Sequence, residues 1–292
     1  MRRDLGVAEA IRGTLPESAL AGVGMFTQLG DVWFLAVILV AAYALRPRDR
    51  EGVAFVAGVS LVGAGVLDLL KATLARPRPP MASADPEALV GVVAEVYRLT
   101  ATADGYGLPS GHAMLGAVVY LGLAAELSVG RRRTRLRAAG VLAVLVGASR
   151  VVLGVHYLVD VIVGLVLGVG LVAVGLHLRR HLDEGAVPVA FAVGLALALL
   201  NAGVHGLDAQ ATALVGATVG AVGGWHLLHP TRTWRSTRRG PAWRRVGAVA
   251  SVLAVVLALM VVVGGVPSWL NLGLGIAVAV GVAVGLALIP RP

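Results

Sequence analysis

The chain has 292 residues, of which 58% are hydrophobic and 14% charged, with no cysteine and a formal net charge of +9. Soluble domains carry about 25% charged residues, so this composition, with a mean hydropathy of +0.85, excludes an ordinary soluble domain. The absence of cysteine excludes disulfides, thiol catalysis and cysteine metal sites, and the positive charge does not point to nucleic acid, because it falls mostly in short loops between apolar runs.

Those runs have the length of about 20 residues that a membrane-crossing helix needs, and they are too long and too rich in leucine and alanine for barrel strands. The expected fold is all-α, a polytopic bundle of membrane helices. At the N-terminus Leu5, Ala8, Ile11 and Leu15 recur at helical spacing, interrupted by Glu9 and Arg12. This reads as a short helix on the membrane surface or an ordinary terminus, and not as a cleaved signal peptide. Spans follow at 31–45 (with a start near Ala19 as the other option), 53–70, from Ser110 to Arg131, 136–148, and from near His156 to Arg179. Further spans are expected at 187–200, 211–228, 246–263 and 270–289, about nine in all.

Basic clusters test that count. Arg46, Arg48 and Arg50, then Arg131 to Arg137, then Arg179 and Arg180, then Arg232 to Arg245 follow every second span. The positive-inside rule makes those loops cytoplasmic, with the N-terminus outside and the C-terminus inside a cell membrane. Lys71, Arg76, Arg78, Arg98 and Arg150 fall on the outer side against the rule. All but Arg98 stand in or beside three polar groups, and an anionic substrate gives them a cause other than topology. Glycine pairs four apart, such as Gly164 and Gly168, offer close helix contacts. Among 39 glycines such pairs locate no interface by themselves. Asn201, His205 and Asp208 stand on the outer side between two spans, as a solvated loop or the lining of an entrance.

The first polar group is Lys71 with Arg76-Pro77-Arg78-Pro79. Lys71 at a span end suits either snorkelling to headgroups or an anion, and spacing does not decide which arginine reaches a site. The second is Pro109-Ser110-Gly111-His112 at the head of a span. There Ser110 is an N-cap candidate, Gly111 permits close approach to the backbone, and free helix amides suit an anion. The third is Ser149-Arg150, then His156 and Asp160, four apart and so on one face of a helix. A carboxylate on one ring nitrogen fixes the tautomer and leaves the other basic, while Arg150 offers a planar fork to phosphate oxygens.

In this order, Lys-x6-Arg-Pro, Pro-Ser-Gly-His and Ser-Arg-x5-His-x3-Asp resemble the signature of the type 2 phosphatidic acid phosphatase (PAP2) superfamily, over roughly residues 19–180. That resemblance implies a membrane core of about five spans in residues 1–182, with 183–292 an accessory transmembrane part of about four. It implies His156 as nucleophile forming a phosphohistidine, Asp160 orienting it, and His112 as general acid. It also implies Lys71, Arg78, Ser110, Gly111 and Arg150 as holders of the phosphoryl oxygens, with no metal and no other cofactor. The expected activity is hydrolysis of a lipid phosphate or diphosphate, the substrate arriving from the bilayer. Transfer to another alcohol and lipid or anion transport are the alternatives. The chain lacks a strong span before 31–45, which six-span members have, and its tail beyond 183 has no counterpart in the family core.

Overall fold

The structure, a computed structural model, describes Thr14 and residues 17–79, 105–182, 185–206 and 208–228. The surface-helix reading of 5–15, the connection 80–104 with Arg98, the basic cluster from Arg232 and the last two spans lie outside the described residues.

The described chain is helical: α1 (Glu17–Thr27), α2 (Val32–Leu45), α3 (Arg50–Leu74), α4 (Gly111–Glu126), α5 (Arg132–Val152), α6 (Leu158–Leu182), α7 (Ala186–His205) and α8 (Ala209–Leu228). Short 3-10 turns occupy Gln28–Gly30 and Pro47–Asp49. Pro47–Leu74, Leu158–Leu182 and Ala186–His205 are long and apolar enough to cross a membrane. Gly22–Gly30 and Val32–Leu45 reach that length only together, across a bend of 54°. Two helices bent at Asp31 thus occupy this stretch: the second matches the expected start near Asp31, and the pair together the option of a start near Ala19. The break has a local cause. Asp31 is extended, at φ −73 and ψ 145, and its amide closes the turn onto the Gln28 carbonyl.

Two compact units share the chain, each taking separate stretches. One runs through Ile38 and resumes from Val66 to His177; the other takes Leu39–Gly65 and begins again at Leu178. In the first, Ala113, Val151 and Val161 form a buried apolar cluster with Leu158 and Leu165 against it. Here α4 and α6 approach at backbone distance. A Cβ on Gly164 would stand 2.6 Å from the Ser110 carbonyl oxygen, and one on Gly168 2.5 Å from that of Met114. This glycine pair does mark an interface, because no larger residue fits between the two backbones. At the other end of α4, Arg135 donates from Nε to the Ala124 carbonyl at 3.0 Å and from Nη1 to that of Gly130 at 2.9 Å. The first bond satisfies a carbonyl that the helix end leaves open, and the second ties down the loop that follows.

In the second unit small residues do the same for α3 and α7. A Cβ on Gly58 would meet Ala190 at 2.7 Å, and one on Gly65 would meet Leu197 at 2.7 Å. Asn201 is buried, and its Nδ2 donates to the carbonyls of Gly65 and Leu197, both at 3.0 Å. It is thus a helix-packing residue and not part of a loop, since α7 continues through it to His205. Asp208 accepts from the Ala211 amide at 2.7 Å and caps α8.

Candidate active site

All three polar groups lie in the first unit, and the backbone itself joins two of them. The Ser110 amide donates to the Asp160 carbonyl at 2.9 Å, pinning the head of α4 to the head of α6. Ser110 occupies the N-cap position, extended at φ −72 and ψ 118, but it makes no side-chain cap bond. Its hydroxyl is fully buried and without a hydrogen-bond partner. A buried group left in that state costs about 1–3 kcal/mol. The cap expected from the sequence is thus present in position only, and the hydroxyl remains available beside the first amides of α4. At Gly111 an added Cβ would meet Leu67 Cδ2 at 3.0 Å, so this glycine's smallness serves contact with α3.

The nucleophile candidate sits in a turn. His156 precedes α6, which begins at Leu158, so its pairing with Asp160 comes from the turn rather than from one helical face. Gly154, at φ 72, supplies the left-handed residue that L side chains avoid, and the Val155 amide closes onto the Arg150 carbonyl at 3.1 Å. His156 is 2% exposed and Asp160 fully buried. Arg78 Nη1 lies 3.0 Å from the Val155 carbonyl oxygen and 2.8 Å from His156 Nε2. A guanidinium only donates. Nε2 must therefore present its lone pair, and the ring proton resides on Nδ1, 3.5 Å from Asp160 Oδ2. The same carboxylate oxygen accepts from the Tyr157 amide at 3.1 Å, which holds it in place. Burial, reinforced by the positive charges of Arg78, Arg150 and Lys71, keeps the His156 imidazole well below the usual histidine range. A backbone interaction with Gly107 opposes this. His156 is consequently a neutral base at ordinary pH with its lone pair fixed on Nε2.

The structure also separates the two arginines that spacing left equivalent. Arg76 is exposed, and its carbonyl accepts from the Gly107 amide at 2.8 Å. Arg78 is the one at the imidazole. Gly107 stands between them and the acid: a Cβ there would lie 3.0 Å from Asp160 Oδ2 and 3.4 Å from Arg78 Cγ. Lys71, in the last turn of α3, is under the charges of Arg78, Asp68, Arg150 and Asp160. Arg150, in the last turn of α5 and 2% exposed, donates from Nη1 to Thr27 Oγ1 at 3.1 Å. The positive charges of Arg150, Lys71 and Arg78 all act on His112, which closes the arrangement. Ser149 stays out of it, its hydroxyl bonded to the Val146 carbonyl at 2.6 Å.

Three participants carry no motif. Thr27 and Asp31 come from the break between α1 and α2, and Gly107 comes from the loop before Pro109. The signal for the first two was an acidic residue in the middle of an apolar stretch, which reads as a span start.

Chemically, the arrangement places cations and a helix N-terminus around a neutral imidazole whose lone pair is aimed, a combination suited to holding and attacking a tetrahedral anion. Residues 52–184 match the model of the PAP2 superfamily, a range that contains every motif residue from Lys71 to Asp160 but neither Thr27 nor Asp31. That match, with the apolar helices, points to phosphatase chemistry in a membrane setting. No curated protein and no solved structure matches the chain.

Proposed function

Residues 52–184 belong to the PAP2 superfamily, and from that premise we propose that the protein is a membrane phosphatase that hydrolyses a lipid phosphate or diphosphate through a phosphohistidine. His156 Nε2 attacks phosphorus while Asp160 holds Nδ1–H and stabilises the charge that develops on the ring. His112 donates a proton to the leaving oxygen as its bond to phosphorus breaks. Water then attacks the phosphohistidine and releases phosphate. Lys71, Arg78, Arg150, the Ser110 hydroxyl and the Gly111 amide hold the equatorial oxygens as charge rearranges. Arg78 exchanges its bond to Nε2 for one to phosphate as substrate enters. The distribution of basic loops supports a site on the outer face of the membrane, with the helices beyond residue 183 as an accessory part.

The observation that carries this reading is the Arg78–His156–Asp160 arrangement, with Arg78 Nη1 2.8 Å from Nε2 and Asp160 Oδ2 3.5 Å from Nδ1. It is tested by offering the purified full chain, in detergent, a set of lipid mono- and diphosphates and measuring released phosphate. His156→Ala should abolish release and leave the protein folded; near-normal turnover would remove the nucleophile assignment. Vanadate, which imitates the trigonal-bipyramidal phosphorus, should inhibit, and EDTA should not. Phosphate appearing on an added alcohol instead of in water would make the protein a transferase, and no release from any substrate would favour a carrier.

A further inference from the structure

The break between α1 and α2 is built as carefully as the motif residues it faces. Its backbone is fixed at both ends, the Asp31 amide bonding Gln28 O and the Leu35 amide bonding Asp31 O, both at 2.9 Å. Thr27 is fully buried and accepts from Arg150. The Tyr120 hydroxyl of α4 donates to the Leu29 carbonyl. Gly30 lies so close to His112 that an added Cβ would stand 2.9 Å from the ring carbon Cδ2. This wall presents a carboxylate: Asp31 Oδ2 is 3.9 Å from His112 Nε2, a nitrogen that is buried and has no hydrogen-bond partner.

We propose that Asp31 is the positioning residue of the general acid. Resting on the reading above, it does for His112 what Asp160 does for His156. With Nε2–H turned to Asp31, Nδ1 is the nitrogen left to face the leaving group. As the bond from His156 Nε2 to phosphorus forms and the bond to the leaving oxygen breaks, that oxygen's new electron pair takes the Nδ1 proton. The ring remains as the neutral Nε2–H tautomer on Asp31. The carboxylate therefore stabilises the protonated ring before transfer, among the cations Lys71 of α3, Arg78, and Arg150 of α5 and the imidazole of His156 that also face it. Asp31 acts through His112 and touches no substrate. The competing role is a plain cap for α2, since its carboxylate also engages the Val32 amide.

Leaving-group dependence separates the two. Dodecyl phosphate leaves as a poor alkoxide and needs the acid; p-nitrophenyl phosphate leaves as a stable phenolate and does not. In the full chain Asp31→Asn should lower kcat for dodecyl phosphate by about 30-fold or more, a part of the roughly 10²–10⁴-fold that a general acid contributes, with KM nearly unchanged. The loss on p-nitrophenyl phosphate should stay below about 3-fold, and Asp31→Glu should restore part of the alkyl activity. His112→Ala should show the same split more strongly. Equal losses on both substrates, including loss of both through misfolding, would make Asp31 a cap and overturn the proposal. So would no loss on either. If His112→Ala itself shows no split, the acid assignment has failed and not merely its partner, and a wild-type chain inactive on both substrates would remove the reading beneath it.

Discussion

Changing Asp160 to asparagine should damage the enzyme more than deleting the side chain altogether. In the structure two groups select the tautomer of His156: Arg78, donating to Nε2 at 2.8 Å, and Asp160, whose Oδ2 carries its charge 3.5 Å from Nδ1. An asparagine amide can donate to Nδ1, which moves the ring proton to Nε2. That proton occupies the nucleophilic lone pair and points it at a guanidinium that also only donates. Asp→Asn at the same place in hydrolase triads costs about 10⁴-fold in kcat. A loss of about 10³ to 10⁴, or about 4 to 5.5 kcal/mol at 1.36 kcal/mol per decade, is expected here. In Asp160→Ala, Arg78 still enforces the Nε2 lone pair. The loss should then be about 10- to 100-fold in rate, with about 1–3 kcal/mol of stability lost because the Tyr157 amide loses the Asp160 carboxylate as acceptor. The assay is phosphate release, together with acid-stable and alkali-stable fractions of protein-bound label after a quench. Asp160→Ala falling below Asp160→Asn would refute the tautomer argument, since charge alone would then explain the carboxylate.

Other consequences are more direct. Arg78→Ala should cut kcat/KM by about 100-fold or more, the scale of a lost charge-stabilising donor, whereas exposed Arg76→Ala should change it by less than about 3-fold; equal losses would mean that the wrong arginine has been placed at the imidazole. Gly164→Ala puts a methyl group 2.6 Å from the Ser110 carbonyl oxygen, and should cost about 1–3 kcal/mol of stability by forcing α4 and α6 apart; an unshifted thermal midpoint would show the contact to be looser. Acid should also destabilise the fold through His156. Its folded value is held below the ordinary one, so the unfolded chain takes up a proton near pH 6.5 that the folded chain refuses. Stability therefore falls as pH drops below about 6.5 and keeps falling until the folded value is reached. Thermal midpoints at pH 7.5 and 5.5 should differ less in His156→Gln than in the wild type, and identical shifts would contradict the burial of the ring.

What was legible in the sequence divides along a physical line. Helices of 20 apolar residues announce themselves, because lipid leaves the backbone no other way to satisfy its hydrogen bonds. The chemistry was legible because Lys71, Arg78, His112, His156 and Asp160 are costly near a membrane and stand out against alanine and valine. Contacts made by backbone were not. Gly164 and Gly168 are as good as any other pair until the Ser110 and Met114 carbonyls are seen against them. Asn201 reads as loop on polarity, yet its amide nitrogen is satisfied by the Gly65 and Leu197 carbonyls inside a helix contact. Asp31 was ambiguous for a related reason. A lone acidic residue in an apolar run marks a span start equally well as a broken span, and only the bend between the two helices distinguishes them.

How the fold holds so many charges before substrate arrives follows from where the helices end. Burying one ion costs several kcal/mol, and an unpaired one is seldom tolerated. Lys71 and Arg150 lie in the last turns of α3 and α5, where the helix dipole is negative. Asp160 lies in the first turn of α6, where it is positive. Each placement contributes about 0.3–1 kcal/mol, and up to about 2 when partly buried, which offsets only part of the cost. Specific bonds supply more: Arg150 to Thr27, Arg78 to Val155 and His156, and Asp160 to the Tyr157 amide. The head of α4 differs, because its dipole is positive, its Ser110 hydroxyl is unpartnered, and no acidic residue stands in its first turn. The ends of α3, α5 and α6 at the site each carry a side chain of the charge the dipole favours. The head of α4 carries none, and in the proposed reaction it is the end that the phosphate of the substrate completes.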